Sequence, residues 1–228
     1  MVGKLGPPPA TLPADPPTEH WGQWEPLVRV YHDHPARDGM AVRTFGPVGR
    51  FDPHVRDRHR QPRESSDGRG VLYLARDLPT ALAEAYPGQR PQVQICPHAR
   101  AGWVRPQEEM ALLDLTGEGA MAIGAVGTLA WGDESRSLTQ RWGRRIYEQY
   151  TELDGIWYRS AHQGGESVAV WDRAPHLERP EGGDRRLWAV WPYVHVALAG
   201  QRRQPRRIAA GDCATCRRYG LSALGTWV

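Results

Sequence analysis

Short apolar segments with a period of two, set between turns rich in glycine and proline, constrain this chain more than any other feature. Leu27-Val28-Arg29-Val30-Tyr31 alternates, Val71-Leu72-Tyr73-Leu74-Ala75 is an apolar run, and Ile156-Trp157-Tyr158-Arg159-Ser160 alternates again. Val93-Gln94-Ile95-Cys96 is a further strand candidate. Gly164-Gly165 separates the 156–160 segment from Ser167-Val168-Ala169-Val170-Trp171, as expected of a hairpin. Strands outnumber helices and do not alternate regularly with them. That pattern predicts an α+β fold and argues against a doubly wound parallel sheet.

The helical segments carry their own boundary signals. Asp77 is placed as an N-cap with Pro79 in the first turn, where a missing N–H costs little. Leu78, Ala81, Leu82 and Ala85 then form a buried stripe, with Glu84 at its edge. A second helix is expected from about Ser137 to Tyr150, because Leu138, Trp142, Ile146 and Tyr150 recur every fourth residue. Residues Val55 to Arg69 are charged and nearly devoid of apolar side chains, which predicts an exposed loop. Leu187 to Leu198 is expected to supply one more strand, held to an edge by Pro192. Residues 1–21 are expected to be a flexible Pro-rich leader and residues 201–228 an Arg-rich tail, leaving 22–200 as the folded domain.

Composition narrows the class without naming a function. A chain of 228 residues with 40% hydrophobic content can bury one good core. No apolar run approaches the roughly 20 residues that span a bilayer, and no basic-then-apolar signal opens the chain. The expectation is a cytoplasmic protein. Nearly all of the 29 basic residues are arginine, and the net charge of +3 fits an anionic ligand such as a dinucleotide, as it fits many basic proteins. The 3 cysteines make no disulfide framework. Cys213 and Cys216 have metal-type spacing, but a zinc site needs four ligands, and Cys96 and His98 would have to be brought close. Free thiols are the favoured reading, and no metal is assigned. The Arg-rich tail suits phosphate neutralisation but lacks the interleaved aromatics of a single-strand reader, so a solvated tail is favoured over nucleic-acid binding.

Segments in a definite order resemble the RES family. They are Val28-Arg29-Val30-Tyr31, Gly49-Arg50-Phe51, Val71-Leu72-Tyr73-Leu74-Ala75 with Ala81-Leu82-Ala83-Glu84, and Gly155-Ile156-Trp157-Tyr158-Arg159-Ser160. Ser167 to Asp172 resembles the family's last strand, so the likeness covers about 27–172. The family's defining Arg, Glu and Ser fall on Arg50, Glu84 and Ser160, and a family tyrosine falls on Tyr73. The resemblance implies a fold similar to ADP-ribosyltransferases, with mixed, largely antiparallel sheets and flanking helices. It also implies an enzyme that consumes NAD⁺, as toxins of toxin–antitoxin pairs in the family do. NAD⁺ and phosphate would be its small-molecule partners and an antitoxin its protein partner, with no cofactor beyond NAD⁺ as substrate. A non-catalytic module that binds NAD⁺ or a partner, or a protein ADP-ribosyltransferase, is the alternative.

The residue types suit that chemistry. Departure of nicotinamide builds positive charge on the ribose carbon, and a carboxylate nearby stabilises it most in the transition state. Glu84 is the candidate, against the plainer reading of a solvated helix glutamate. Arg50 follows a glycine that admits a phosphate, and guanidinium matches phosphate oxygens; Arg29 is a second candidate for the diphosphate. Tyr73 is expected either to stack on nicotinamide or hydrogen-bond the ribose, or to be a core tyrosine. Ser160 shares the phase of Ile156 and Tyr158, so it should face inward and position a ligand amide or ribose. His162 is a weaker candidate for a general base.

Overall fold

In a computed structural model, residues 4–23, 25–35, 37–86, 94–95, 97–131, 134–162, 164–190 and 206–207 are described. The strands are β1 (Thr18–Trp21), β2 (Leu27–His32), β3 (Phe45–Gly46), β4 (Arg63–Glu64), β5 (Val71–Ala75), β6 (Gln94–Ile95), β7 (Ala99–Pro106), β8 (Met110–Asp114), β9 (Gly155–Arg159), β10 (Glu166–Trp171), β11 (Leu177–Glu178), β12 (Asp184–Arg186) and β13 (Arg206–Arg207). The helices are α1 (Leu78–Ala85), α2 (Gly119–Ala122), α3 (Thr128–Trp131) and α4 (Arg136–Gln149).

Period-two segments become the centre of a nine-stranded sheet in the order β1-β8-β9-β10-β5-β2-β7-β11, with β12 also paired to β7. Every pair in it is antiparallel except β8 with β9. The protein is thus α+β with a mixed, largely antiparallel sheet. The hairpin expected at Gly164-Gly165 joins β9 to β10, with Tyr158 opposite Ser167 and Ile156 opposite Ala169. Alternation puts Ile156, Tyr158, Ala169 and Trp171 in one core cluster and Val168, Val170, Leu72 and Leu74 in another, on opposite faces of the sheet.

Helix α4 closes the first face with Trp142, Ile146 and Tyr150, as its fourth-residue spacing predicts. Helix α1 begins where the sequence indicates: the Asp77 side chain accepts the Thr80 amide at 2.7 Å, and Pro79 lies in the first turn. Its Leu78, Ala81 and Leu82 pack on Val28, Val30 and Ala75. Residues 55–69 form a largely exposed connection, interrupted only by β4 pairing with β3.

The N-terminal segment departs from expectation. Instead of a flexible leader, residues 4–17 run as a strap along α4, and Thr18–Trp21 adds β1 to the sheet edge beside β8. Leu5 and Leu12 are buried in the same cluster as Trp142. Trp142 Nε1 donates to the Gly6 carbonyl at 2.9 Å, and Tyr150 donates its hydroxyl to the Pro13 carbonyl at 2.8 Å. The Gln149 amide exchanges two bonds of 2.7 Å with the Leu12 backbone. Proline stiffens the unfolded segment, so fewer conformations are lost on docking, and α4 side chains satisfy the carbonyls that no ladder reaches.

At the other end, Leu187–Val190 forms a 3₁₀ turn where a strand is expected, and the rest of that segment, to Leu198, lies outside the described residues. So do Val93, Cys96, Cys213, Cys216 and the tail apart from β13, which pairs with β6. No helix among the described residues is long and apolar enough to cross a membrane.

One junction positions the site. Strands β2 and β7 pair residue for residue from Leu27 to His32, whereas β2 and β5 share only Val28 opposite Ala75. The sheet therefore opens between β2 and β5.

Candidate active site

The opening is a cleft of about 360 Å³. Arg29 and Val30 reach it from β2, Tyr73 from β5, Glu84 from α1, Gly49 and Arg50 from the connecting loop, Arg136 from α4, and Tyr158 from β9. Segments far apart in the chain thus bring Arg29, Arg50, Tyr73 and Glu84 to one place.

Glu84 enters the cleft from the last turn of α1, flanked by Ala81 and Ala85, whose small side chains leave the space beside it open. Ser160 is buried immediately after β9 and donates its hydroxyl to Glu84 Oε1 at 2.5 Å. The Ser160 hydroxyl oxygen in turn accepts the His162 amide at 3.2 Å. The inward-facing serine therefore orients the glutamate. Gly165 makes this contact attainable: a Cβ there would stand 2.0 Å from Thr80 Oγ1, so only glycine lets the β9–β10 turn pack on the start of α1. His162 is an exposed residue at the rim.

A second network fixes the loop carrying Arg50. The Asp52 carboxylate is fully buried; it accepts Arg43 at 2.8 and 2.9 Å, the Tyr73 hydroxyl at 2.7 Å and the Val48 amide at 2.5 Å. Burial alone would raise its pKa, but the Arg43 charge and the Val48 amide hold it below the ordinary value. The Tyr73 hydroxyl also accepts the Phe51 amide at 2.9 Å. The Tyr73 hydroxyl is thus engaged within the protein, and its ring both lines the cleft and packs against the core cluster that holds Phe51 and Tyr158. A Cβ on Gly49 would meet Tyr73 Oη at 2.5 Å and Asp52 Oδ1 at 2.7 Å, so glycine is required there by close packing.

Charge in the cleft is uneven. Arg29, Arg43, Arg50 and Arg136 line it against one carboxylate among the described lining residues, Glu84. Burial, and then the neighbouring Arg43 charge, lowers the pKa of Arg29 to about 10. That residue alternates with Val28 and Val30 on β2 and borders both the cleft and an adjoining cavity of about 580 Å³ along residues 39–45. Arg50 Nη1 donates to the Leu129 carbonyl at 3.3 Å, and Arg136 Nη1 to the Val48 carbonyl at 3.3 Å. Tyr158 lies within reach of both signs of charge. Its hydroxyl pKa is pushed up by burial and then by Glu84, with Arg50 opposing. An anion placed among these arginines would relieve their mutual repulsion, and a developing cation would find Glu84.

Sequence reasoning missed Arg43, Asp52, Arg136 and Tyr158 as site residues. Tyr158 carried a usable signal, since it shares the phase of Ser160. Arg43 and Asp52 lie in a turn-rich stretch with no periodicity, where one arginine or aspartate looks like any other. No group of three His, Cys, Asp or Glu side chains among the described residues could hold a metal ion.

A family model described as the RES domain matches residues 18–192. No curated protein matches the chain. Among solved structures, a chain of the M. tuberculosis MbcT–MbcA toxin–antitoxin complex is similar at TM-score 0.53 and 20% identity, covering 78% of this chain and 92% of that one. At that identity the likeness is one of fold.

Proposed function

The chain belongs to the RES-domain family, and on that premise we propose that it cleaves the nicotinamide–ribose bond of NAD⁺. The observation that carries this reading is the convergence of Arg50, Tyr73 and Glu84 on one electropositive cleft, with Ser160 bonded to the glutamate. A diphosphate is the natural counter-ion for Arg29 and Arg50, and guanidinium binds phosphoryl oxygens through paired N–H donors. The Tyr73 ring offers nicotinamide a flat apolar surface.

Chemically, the C1′–N bond breaks and its electron pair passes to the departing ring, which neutralises the pyridinium. Positive charge grows on C1′ and the ring oxygen as in glycoside cleavage, and Glu84 stabilises it. Ser160 acts as a positioning residue: its hydroxyl holds one carboxylate oxygen and leaves the other for the substrate. An oxygen of phosphate or water then bonds to C1′, giving ADP-ribosyl phosphate or, with loss of a proton, ADP-ribose. The arginines would also favour an anionic acceptor. A substrate of this kind places the activity in the cytoplasm, where NAD⁺ is held.

The fold neighbour belongs to a toxin–antitoxin complex. By extension, this chain would be a toxin-like enzyme restrained by a partner protein. Purified protein incubated with NAD⁺, with and without phosphate, tests the activity when products are followed by proton NMR. Nicotinamide release supports the proposal, and its dependence on phosphate names the acceptor. Binding of NAD⁺ without release would favour a non-catalytic module, whereas label transfer from NAD⁺ to added protein would favour a protein ADP-ribosyltransferase.

A further inference from the structure

Outside the cleft, arginines gather where no carboxylate meets them. Beside the 47–56 loop, a cavity of about 530 Å³ is lined by Arg56, Arg60, Arg141 and Arg144 together with Gln140 and His54. None of the four guanidiniums forms an ion pair with a described residue, and no acidic side chain among the described residues lines the cavity. Like charges sharing one cavity repel, so the fold holds them together against their own field.

The arrangement is built and not a chance gathering of long side chains. Arg56 is anchored at both terminal nitrogens, donating Nη2 to Gln140 Oε1 at 2.7 Å and Nη1 to the Arg60 carbonyl at 2.7 Å. Arg60 has φ 63°, a left-handed conformation that is unfavourable for a residue with a side chain. It is held there by Asp57, whose carboxylate accepts the His59 and Gln61 amides at 2.8 and 2.7 Å and whose carbonyl accepts the Arg60 amide at 3.0 Å. Arg141 and Arg144 are three residues apart on α4 and so share a face. Burial lowers the pKa of His54, which leaves the charge to the arginines.

We propose that this cavity is a binding site, separate from the cleft, for clustered phosphoryl groups such as a di- or triphosphate chain. Planar guanidiniums converging from two segments match phosphoryl oxygens on several sides. No Phe, Tyr or Trp among the described lining residues offers a base a surface to stack on, so the phosphates are what is recognised. Gln140 joins the two sites, accepting from Arg56 and donating to the Gly49 carbonyl at 2.9 Å. The test must therefore separate them.

Calorimetric titration of the full chain with inorganic tripolyphosphate does so, comparing the native protein, an Arg141→Gln/Arg144→Gln double variant and Arg29→Gln in the cleft. The double variant is expected to lose the tighter of two binding events, by at least about tenfold, whereas Arg29→Gln leaves that event within about threefold of native and weakens only the looser binding in the cleft. Thermal melting shows whether the double variant is folded; if it is not, Arg60→Gln on its exposed turn takes its place with the same expectation. Titration with ATP identifies the source: equal affinity marks a site for phosphates from either ligand, and a preference names one. No binding of tripolyphosphate to native protein, native-like binding by the arginine variants, or loss confined to Arg29→Gln would overturn the assignment.

Discussion

Asp52 accepts hydrogen bonds from Arg43, Tyr73 and the Val48 amide while removed from solvent, and so ties β5 to the loop bearing Arg50. A carboxyl whose pKa is depressed by folding adds stability above its unfolded pKa of about 3.9 and loses it as pH falls through the folded value. Asp52→Asn should therefore cost about 3 kcal/mol at neutral pH, since it leaves Arg43 without its partner. In urea denaturation the gap to native should narrow as pH drops below about 4; a gap independent of pH would show that the charge is not what matters. Ser160→Ala removes the donor that orients Glu84. A hydrogen bond to a charged group is worth about 1.5–3 kcal/mol, so kcat for nicotinamide release should fall about tenfold or more with KM nearly unchanged. An effect on KM alone would contradict a positioning role.

Elements defined by local signals were legible in the sequence. Helix α1 announced itself through Asp77, Pro79 and an apolar stripe, α4 through Trp142, Ile146 and Tyr150, and the β9–β10 hairpin through Gly164-Gly165. Elements whose reason lies elsewhere in the chain were not. Strand β7 contains Gly102 and ends on Pro106, and takes its place because β2 and β12 pair with it. The N-terminal strap looked unstructured because prolines dominate its composition, yet Leu5 and Leu12 are its anchors. The Leu12→Ala change should cost about 2–5 kcal/mol by emptying a buried site in the cluster around Trp142. Chemical denaturation measures this directly. A loss below about 0.5 kcal/mol, the range of a surface substitution, would mean that the strap is not docked in solution.

At the scale of the whole molecule, a long antiparallel sheet opens at one seam, and that seam gathers Arg29, Arg50, Tyr73 and Glu84 from β2, the loop, β5 and α1. The members of the site were legible as motifs. Their meeting was not, because it depends on β2 and β5 sharing one residue pair before they part. Nor was the supporting shell of Arg43, Asp52 and Tyr158, which is defined by contacts between segments. The seam concentrates positive charge around one carboxylate among the described lining residues, Glu84, which under the proposed function drives scission of NAD⁺. The most direct measurement is nicotinamide release by native protein and Glu84→Gln, with NAD⁺ affinity measured on both. Glutamine keeps the shape and an oxygen for Ser160 but not the charge. Release should fall on the order of 100-fold or more while affinity changes little, because the charge acts mainly in the transition state. Native-like release by Glu84→Gln would contradict the account.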